Sequence, residues 1–249
     1  MNNTKAIFIK QFTSLLKAPS MIVQGILFLL IALAFAFFLP YEEDVECYSC
    51  IPKYVCAACE EEAANRFELP VPSGVGLFAV IFVGLALVGS ASAQVQEDKT
   101  TTNLRFMAMA GMRPHQYLLG TVSAMIIVVA VMLVFYALVG RYFGTDMIWF
   151  MTVGVAGGLV SVLLGIVIGL SKVPILATPV SIVLGLGPTI GTLNETLANV
   201  LRFTFIQQVN IAFADLSADL TSNLMIIGIN GLVILAIFIL MHRKNRFNL

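Results

Sequence analysis

Hydrophobic residues occur along the chain in long runs that are separated by short polar stretches. Six runs approach the length of a membrane span: Ile22–Leu39, Val75–Val95, Tyr117–Val139, Met147–Leu170, Val173–Ile190 and Leu224–Met241. Because about 20 apolar residues cross a bilayer core roughly 30 Å thick, each run predicts a transmembrane helix. Helices are expected because the backbone groups of a membrane span must be bonded within their own segment. The pattern predicts an all-α integral membrane protein with six transmembrane helices.

A shorter amphipathic pattern precedes the first run, over residues 5–18. Its apolar positions recur at i, i+4, i+7 and i+8, and they are Phe8, Phe12, Leu15 and Leu16. Lys10, Ser14 and Lys17 share the opposite face. This spacing predicts a basic amphipathic helix that lies in the membrane interface. A solvated basic start to the first span is the simpler alternative.

The stretch 40–73 is the longest loop and contains all four cysteines, as two Cys-x2-Cys pairs. They are Cys47, Cys50, Cys56 and Cys59. The pairs are closer together than in most zinc ribbons, and an extracellular loop faces an oxidising compartment where disulfides persist. Two disulfides are therefore the favoured interpretation, with no metal bound. A zinc site and free thiols remain alternatives, and the pairing is open.

Two later segments have distinctive patterns. The fourth run contains small residues mostly four apart, a spacing that allows close helix contact within the chain or across a dimer. They are Gly154, Gly158, Ser161, Gly165 and Gly169. The stretch 191–222 has apolar residues at helical spacing, which predicts one or two short extracellular helices. They either re-enter the outer leaflet or rest on its surface.

Charge orients the predicted bundle. The chain is 59% hydrophobic and 11% charged, with a formal net charge of zero. With six spans, ten of the fourteen Lys and Arg residues fall on the side of both termini. On the other side are Lys53, Arg66, Arg141 and Arg202. Since Lys and Arg favour cytoplasmic loops, both termini are expected in the cytoplasm, with the protein in a plasma membrane.

Several functional classes lack their sequence signals. No predicted span has an acidic or basic residue at its centre, which argues against a pump that uses a buried carboxylate. The sequence has no phosphate-binding loop, no nucleophile elbow and no zinc-protease motif. No basic field points to nucleic acid. The chain is therefore not expected to be an enzyme.

The polar stretch 96–116 is longer than a turn between two spans requires. Thr100–Thr102 can cap a short helix over Asn103–Ala110, which Gly111 can end. Pro114 suits the first turn of the next helix. The pattern predicts a short cytoplasmic helix that contacts another protein.

The whole chain resembles the ABC-2 type permeases, the membrane subunits of bacterial ABC exporters. The resemblance rests on the amphipathic first helix, the six spans, the loop order and one segment. In that segment the matching positions are Glu97, Thr102, Pro114, Leu119 and Gly120. Thr101 stands where the family often has Gly, and Thr121 where it often has Lys.

The resemblance implies a function that composition alone does not. It implies an all-α permease of the bacterial inner membrane that works with two copies of an ABC ATP-binding subunit. A second, identical permease copy is expected beside it. ATP and Mg²⁺ would bind the partner, and this chain would hold no cofactor. The segment 96–116 would be the coupling segment, with contacts assigned to Glu97, Asp98, Lys99, Thr102, Arg105, Met112 and Arg113.

The cargo is expected to be amphipathic or hydrophobic: a peptide, an antibiotic or a lipid-like molecule. Candidate residues along its path are Phe28, Phe35, Phe78 and Phe82. Two other classes are alternatives. One is a stand-alone immunity or sensor protein that binds a peptide or toxin through the acidic cysteine-containing loop. The other is a membrane enzyme that exchanges thiols.

Overall fold

A computed structural model describes residues 3–17, 20–38, 71–101, 103–104, 109, 111, 113–171, 173–191, 199–214 and 220–245. These residues form helices and turns, with no strand among them. The helices are α1 (Asn3–Lys17), α2 (Ser20–Phe38), α3, α4 (Pro114–Val139), α5 (Thr145–Leu170), α6 (Ala177–Gly191), α7 (Phe205–Ala214) and α8 (Leu220–Asn245). Helix α3 is composite: Val71–Ile81, a π-helical turn Phe82–Ala86, and Leu87–Thr100.

Four of these helices contain apolar stretches long enough to cross a membrane: Gly74–Thr100, Pro114–Val139, Thr145–Leu170 and Leu220–Met241. Helices α1 and α2 meet at a bend of 53° and together count as a fifth candidate. The chain therefore has the architecture of an all-α, multi-pass membrane protein. The four long helices correspond to the second, third, fourth and sixth hydrophobic runs.

The predicted count of six spans is not confirmed, because the fifth run does not form one long helix. It begins with the 3-10 turn Pro174–Leu176 and continues as α6, which has 15 residues and contains Pro188. At about 1.5 Å per residue α6 is about 22 Å long, which is shorter than a bilayer core.

The glycine stripe of α5 packs inside the chain. A Cβ on Gly165 would lie 2.6 Å from the Val88 carbonyl oxygen and 2.7 Å from Ala91 Cβ, so α3 and α5 touch through their backbones. On the same helix, a Cβ on Gly158 would lie 3.0 Å from Val129 Cγ1 of α4. The prediction of internal packing is therefore confirmed for these glycines.

Helix α3 has its π-helical turn where α6 crosses it. A Cβ on Gly84 would lie 2.8 Å from the Leu184 carbonyl oxygen, and a Cβ on Gly185 would lie 2.6 Å from Leu85 Cβ. A π-helical turn widens a helix locally and often marks a functional position. Here it accompanies the backbone contact between α3 and the short helix α6.

Helix α7 is buried between α3, α5 and α8. Its residues Phe205, Val209 and Phe213 are at most 3% exposed. Helix α7 therefore packs into the bundle, and its placement relative to the outer leaflet stays a prediction.

Three stacked aromatic rings pack together at the end of the bundle where α7 ends. The Phe150 ring stacks on Phe213 at 4.1 Å and on Tyr142 at 4.8 Å between centroids. The Tyr142 hydroxyl donates to the Phe213 carbonyl at 3.5 Å. Burial, and secondarily the charge of Asp146, raises the pKa of Tyr142 to about 12. The phenol is therefore a neutral donor at physiological pH.

Candidate functional site

A buried carboxylate lies at the opposite end of the bundle, where α1, α3 and α4 meet. Asp98, in the last turn of α3, is only 5% exposed. Lys10 Nζ donates to its Oδ1 at 2.6 Å, and Gln11 Nε2 donates to its Oδ2 at 2.7 Å. The Tyr117 hydroxyl donates to the same Oδ2 at 3.0 Å. A buried charge is tolerated when it is paired and hydrogen-bonded in this way.

Gln94 orients one of these donors. It lies one helical turn before Asp98 on α3, and its Nε2 donates to Gln11 Oε1 at 2.5 Å. With its oxygen held by Gln94, the Gln11 amide directs its nitrogen to Asp98. We call the five side chains of Lys10, Gln11, Gln94, Asp98 and Tyr117 the Asp98 network.

The side chains reach one another because α1 packs very close to α4. A Cβ on Gly120 would lie 2.7 Å from Ile7 Cγ2, so only glycine leaves room for α1 at this position. Ile7, Gln11 and Leu15 recur every four residues and form the buried face of α1. This packing places the Gln11 side chain beside the carboxylate of Asp98.

The face predicted for α1 differs from this arrangement. Leu16, which was predicted on the apolar face directed to the membrane interface, is 57% exposed. Lys10 was expected on the solvated face, yet it pairs with Asp98 and is 39% exposed. The reason is that α1 has one side that contacts protein and a second, apolar side that contains Ile9 and Leu16. The spacing of apolar residues along the sequence does not distinguish these two sides.

The residue after Asp98 contacts a different helix. Lys99 Nζ donates to the carbonyl oxygens of Gly169 at 3.2 Å and Ser171 at 3.1 Å. These carbonyls belong to the C-terminal end of α5, where helix carbonyls lack partners and a positive charge is favourable. Adjacent residues of α3 thus bind α1 and α4 on one side and α5 on the other.

Replacing Lys99 by methionine is expected to lower the free energy of unfolding by about 1–2 kcal/mol, because two α5 carbonyls lose a charged donor. Lys5→Met is the matched control, since Lys5 is exposed on α1, and it should change stability by less than about 0.5 kcal/mol. Denaturation of the purified variants in mixed micelles measures both. Equal stabilities would contradict the role of Lys99.

The predicted coupling residues fall into two groups. Glu97 and Arg113 are exposed, whereas Asp98 is buried and Lys99 is half-buried. Thr102, Arg105 and Met112 lie outside the described residues, and so does most of the predicted short helix.

Gly111 and Pro114, near the end of the coupling segment, have the positions in helix termini that the sequence predicts. Gly111 has a φ of +73°, the left-handed conformation expected of a residue that ends a helix. Pro114 is in the first turn of α4. The Arg113 backbone N–H donates to Gln116 Oε1 at 3.1 Å, which caps the start of α4. Arg113 is thereby held at the start of α4, one helical turn before Tyr117 of the Asp98 network.

The four candidate cargo residues make packing contacts. Phe35 and Phe78 lie 5.3 Å apart between ring centroids and join α2 to α3. Phe82 is fully buried with its ring 5.9 Å from that of Tyr136, and Phe28 packs against the core. The role of these residues along a path remains a prediction.

The cysteine loop lies outside the described residues, as do Cys47, Cys50, Cys56 and Cys59. Among the residues that are described, no group of three or more His, Cys, Asp or Glu is arranged to hold a metal ion. The disulfide interpretation therefore stays a prediction.

Sequence reasoning did not identify Lys10, Gln11, Gln94 and Tyr117 as site residues. Gln11 carried one usable signal, because it lies between Ile7 and Leu15 at four-residue spacing on an otherwise apolar face. A polar residue at such a position needs a buried partner.

No family model, no curated protein and no solved structure matches the chain.

Proposed function

We propose that the chain is the membrane subunit of an ATP-driven exporter and that a separate ATPase supplies the energy. The observation that carries this proposal is the Asp98 network. It connects the last turn of α3, next to the exposed Glu97, to α1 and α4, while Lys99 connects the same turn to α5.

Such an arrangement suits the transmission of force from a partner protein. A partner that binds the exposed charges of Glu97 and Arg113 moves the end of α3 and the start of α4. The buried bonds of Asp98 then carry α1 along, since breaking them would leave buried donors unsatisfied. A nucleotide-driven partner shifts the bundle only if it binds one conformation better than the other.

The proposal divides the predicted coupling residues by role. Glu97 and Arg113 contact the ATPase, together with Thr102, Arg105 and Met112. Asp98 and Lys99 transmit the movement inside the chain, because their polar groups already have partners there. ATP and Mg²⁺ bind the partner subunit.

The wider assembly follows from charge and from the resemblance to ABC-2 permeases. The excess of Lys and Arg on one side of the predicted spans supports cytoplasmic termini in a bacterial inner membrane. Two copies of the chain pair with two ATPases. Each copy contributes six spans, and the run Val173–Ile190, which contains most of α6, is the fifth. The cargo is an amphipathic or hydrophobic molecule such as a peptide, an antibiotic or a lipid.

Charge reversal at the two exposed positions tests the proposal. The double substitution Glu97→Lys with Arg113→Glu is expected to weaken binding of the ATPase about tenfold or more. The reason is that like charges would then face each other across the interface. The double variant should remain folded, because both side chains are exposed. Binding is measured by co-purification, and nucleotide-dependent export by transport into inverted vesicles.

Lys5→Glu is the control, because Lys5 is an exposed cation on α1 outside the coupling segment. It should keep both binding and export. Full export by the double variant would contradict the proposed coupling site. A chain that works without any ATPase would instead favour the stand-alone sensor or immunity function.

A further inference from the structure

Helix α3 changes its packing partners on either side of the π-helical turn Phe82–Ala86. Its N-terminal half, Val71–Ile81, packs mainly against α2 and α7, where a Cβ on Gly76 would lie 3.1 Å from Phe213 Cβ. Its C-terminal half, Leu87–Thr100, packs mainly against α5. The two halves therefore belong to different groups of helices, and the π-helical turn joins them.

This turn contains one residue more than a regular turn of α-helix. The Leu87 backbone N–H donates to the Phe82 carbonyl, five residues earlier, whereas an α-helix bonds each N–H four residues back. Removing one residue from the turn would restore the regular bond and leave each half of α3 facing the same neighbours. In an uninterrupted α-helix, removing one residue instead rotates everything beyond it by about 100°. The π-helical turn is thus equivalent to one inserted residue between two halves that stay in register.

Helix α6 crosses this turn at an irregular point of its own. Pro188 has no N–H, so the Leu184 carbonyl, four residues earlier, lacks the donor that an α-helix would supply. The Leu184 carbonyl oxygen lies 2.8 Å from the position of a Cβ on Gly84, where glycine carries a hydrogen instead. The carbonyl that proline leaves without a donor therefore faces the π-helical turn, where Gly84 offers it only a weak C–H donor.

Backbone groups form the closest contacts at this crossing. Besides the pair of Gly84 and Leu184, a Cβ on Gly185 of α6 would lie 2.6 Å from Leu85 Cβ and 3.2 Å from the Leu85 backbone nitrogen. Sharp bends in helices occur mainly at proline and at π-helical turns. Both features meet here, at the point where the two halves of α3 are joined.

We propose that α3 bends at the π-helical turn, with the crossing of α6 as the pivot, so that its C-terminal half moves relative to α2 and α7. The moving half carries Asp98 and Lys99, which bind α1, α4 and α5. The use of this bend in transport rests on the proposed function. The bend itself is a property of the single chain and is measured without any partner.

Pulsed electron paramagnetic resonance on the purified chain measures the bend as a spread of distances between two spin labels. The labels are introduced as unnatural amino acids, because the chain has four cysteines of its own. One pair joins Glu97 to Leu33, an exposed residue of α2, and spans the turn. The control pair joins Glu97 to Leu159, an exposed residue of α5, which packs against the same half of α3. The first pair should show the wider spread of distances.

Deletion of Leu85 removes the inserted residue, and Leu85 is the one side chain of the turn that is only partly buried. The remaining α3 is a regular helix with both halves in register. The chain should therefore keep or raise its thermal stability, and the distances between Glu97 and Leu33 should narrow to the width of the control pair.

Deletion of Gly89 is the matched control, because Gly89 lies in the regular part of α3 and nothing is within 4 Å of a Cβ at that position. It should destabilise the chain strongly, since it rotates the two parts of the helix by about 100° relative to each other. Equal loss of folding in both deletions would show that the halves are not in register and would overturn the assignment of an inserted residue.

Pro188→Ala tests the pivot without a deletion. The new N–H supplies the Leu184 carbonyl with its regular helical donor and makes α6 straighter, so the distances between Glu97 and Leu33 should narrow part of the way. An unchanged spread in this variant would overturn the role of α6. A spread in the unaltered chain as narrow as that of the control pair would overturn the bend altogether.

Export separates this inference from the proposed function. With the ATPase present, deletion of Leu85 should abolish nucleotide-dependent export while the ATPase still co-purifies, because the exposed charges of Glu97 and Arg113 are unchanged. Full export by this variant would overturn the role of the bend in transport. A chain without any ATPase partner would instead contradict the proposed function and leave the distance measurements valid.

Discussion

Asp98→Leu is expected to destabilise the folded chain by about 2–5 kcal/mol, because it leaves two buried donors without an acceptor. Gln11 Nε2 and the Tyr117 hydroxyl both lose their bond to Asp98 Oδ2, and each unsatisfied buried group costs about 1–3 kcal/mol. Lys10 contributes less to this cost, since it is partly exposed and water can solvate its charge. Denaturation in mixed micelles measures the change.

Glu97→Leu is the matched control for this substitution, because it removes a carboxylate from the neighbouring exposed position. It should alter stability by less than about 0.5 kcal/mol. Tyr117→Phe combined with Asp98→Leu should recover part of the loss, since it removes one of the two unsatisfied donors. A folded Asp98→Leu chain as stable as the unaltered one would show that the network does not join α1, α3 and α4.

Gly165→Leu is expected to cost about 3 kcal/mol or more, because the new side chain has no space between α3 and α5. Its Cβ would lie 2.6 Å from the Val88 carbonyl oxygen, which is backbone and cannot rotate away. One turn along α5, a Cβ on Gly169 would lie 2.9 Å from the Ser92 carbonyl oxygen. The two helices would have to separate, which would also move Lys99 from the carbonyls that it binds.

Gly228→Leu on α8 provides the comparison, since nothing lies within 4 Å of a Cβ at that position. It should leave stability nearly unchanged, and thermal unfolding of the two variants gives the difference. If both glycines tolerate leucine equally, the backbone contact between α3 and α5 does not determine the fold.

Local pattern predicted most of the helices and some of their ends. Apolar runs located α3, α4, α5 and α8 because the length of a span is a property of contiguous residues. Gly111 and Pro114 were recognised because turn conformations depend on single residue types. The glycines of α5 were recognised for packing, since their spacing of four follows one helix face.

The Asp98 network could not be predicted in the same way, because its members are far apart in sequence. Gln11 and Asp98 are separated by 87 positions, and no local spacing reports which helices will be neighbours. Asp98 and Lys99 therefore looked like surface charges of a polar segment. The approach of α1 to α4 at Gly120 brings Lys10 and Gln11 to the carboxylate.

The packing of α7 could not be predicted for a related reason. Residues 191–222 are partly polar, so hydropathy alone fits both a surface segment and one that packs into the bundle. The burial of α7 depends on helices that are distant in sequence, and Asn230 of α8, for example, donates to the Phe203 carbonyl 27 positions earlier.

Dependence on a separate ATPase is tested most directly by the composition of the complex purified from native membranes. Native mass spectrometry is expected to find two copies of this chain with two copies of a P-loop ATPase, and ATP with Mg²⁺ bound only to the latter. A chain that purifies from active membranes with no nucleotide-binding subunit would contradict the proposed function.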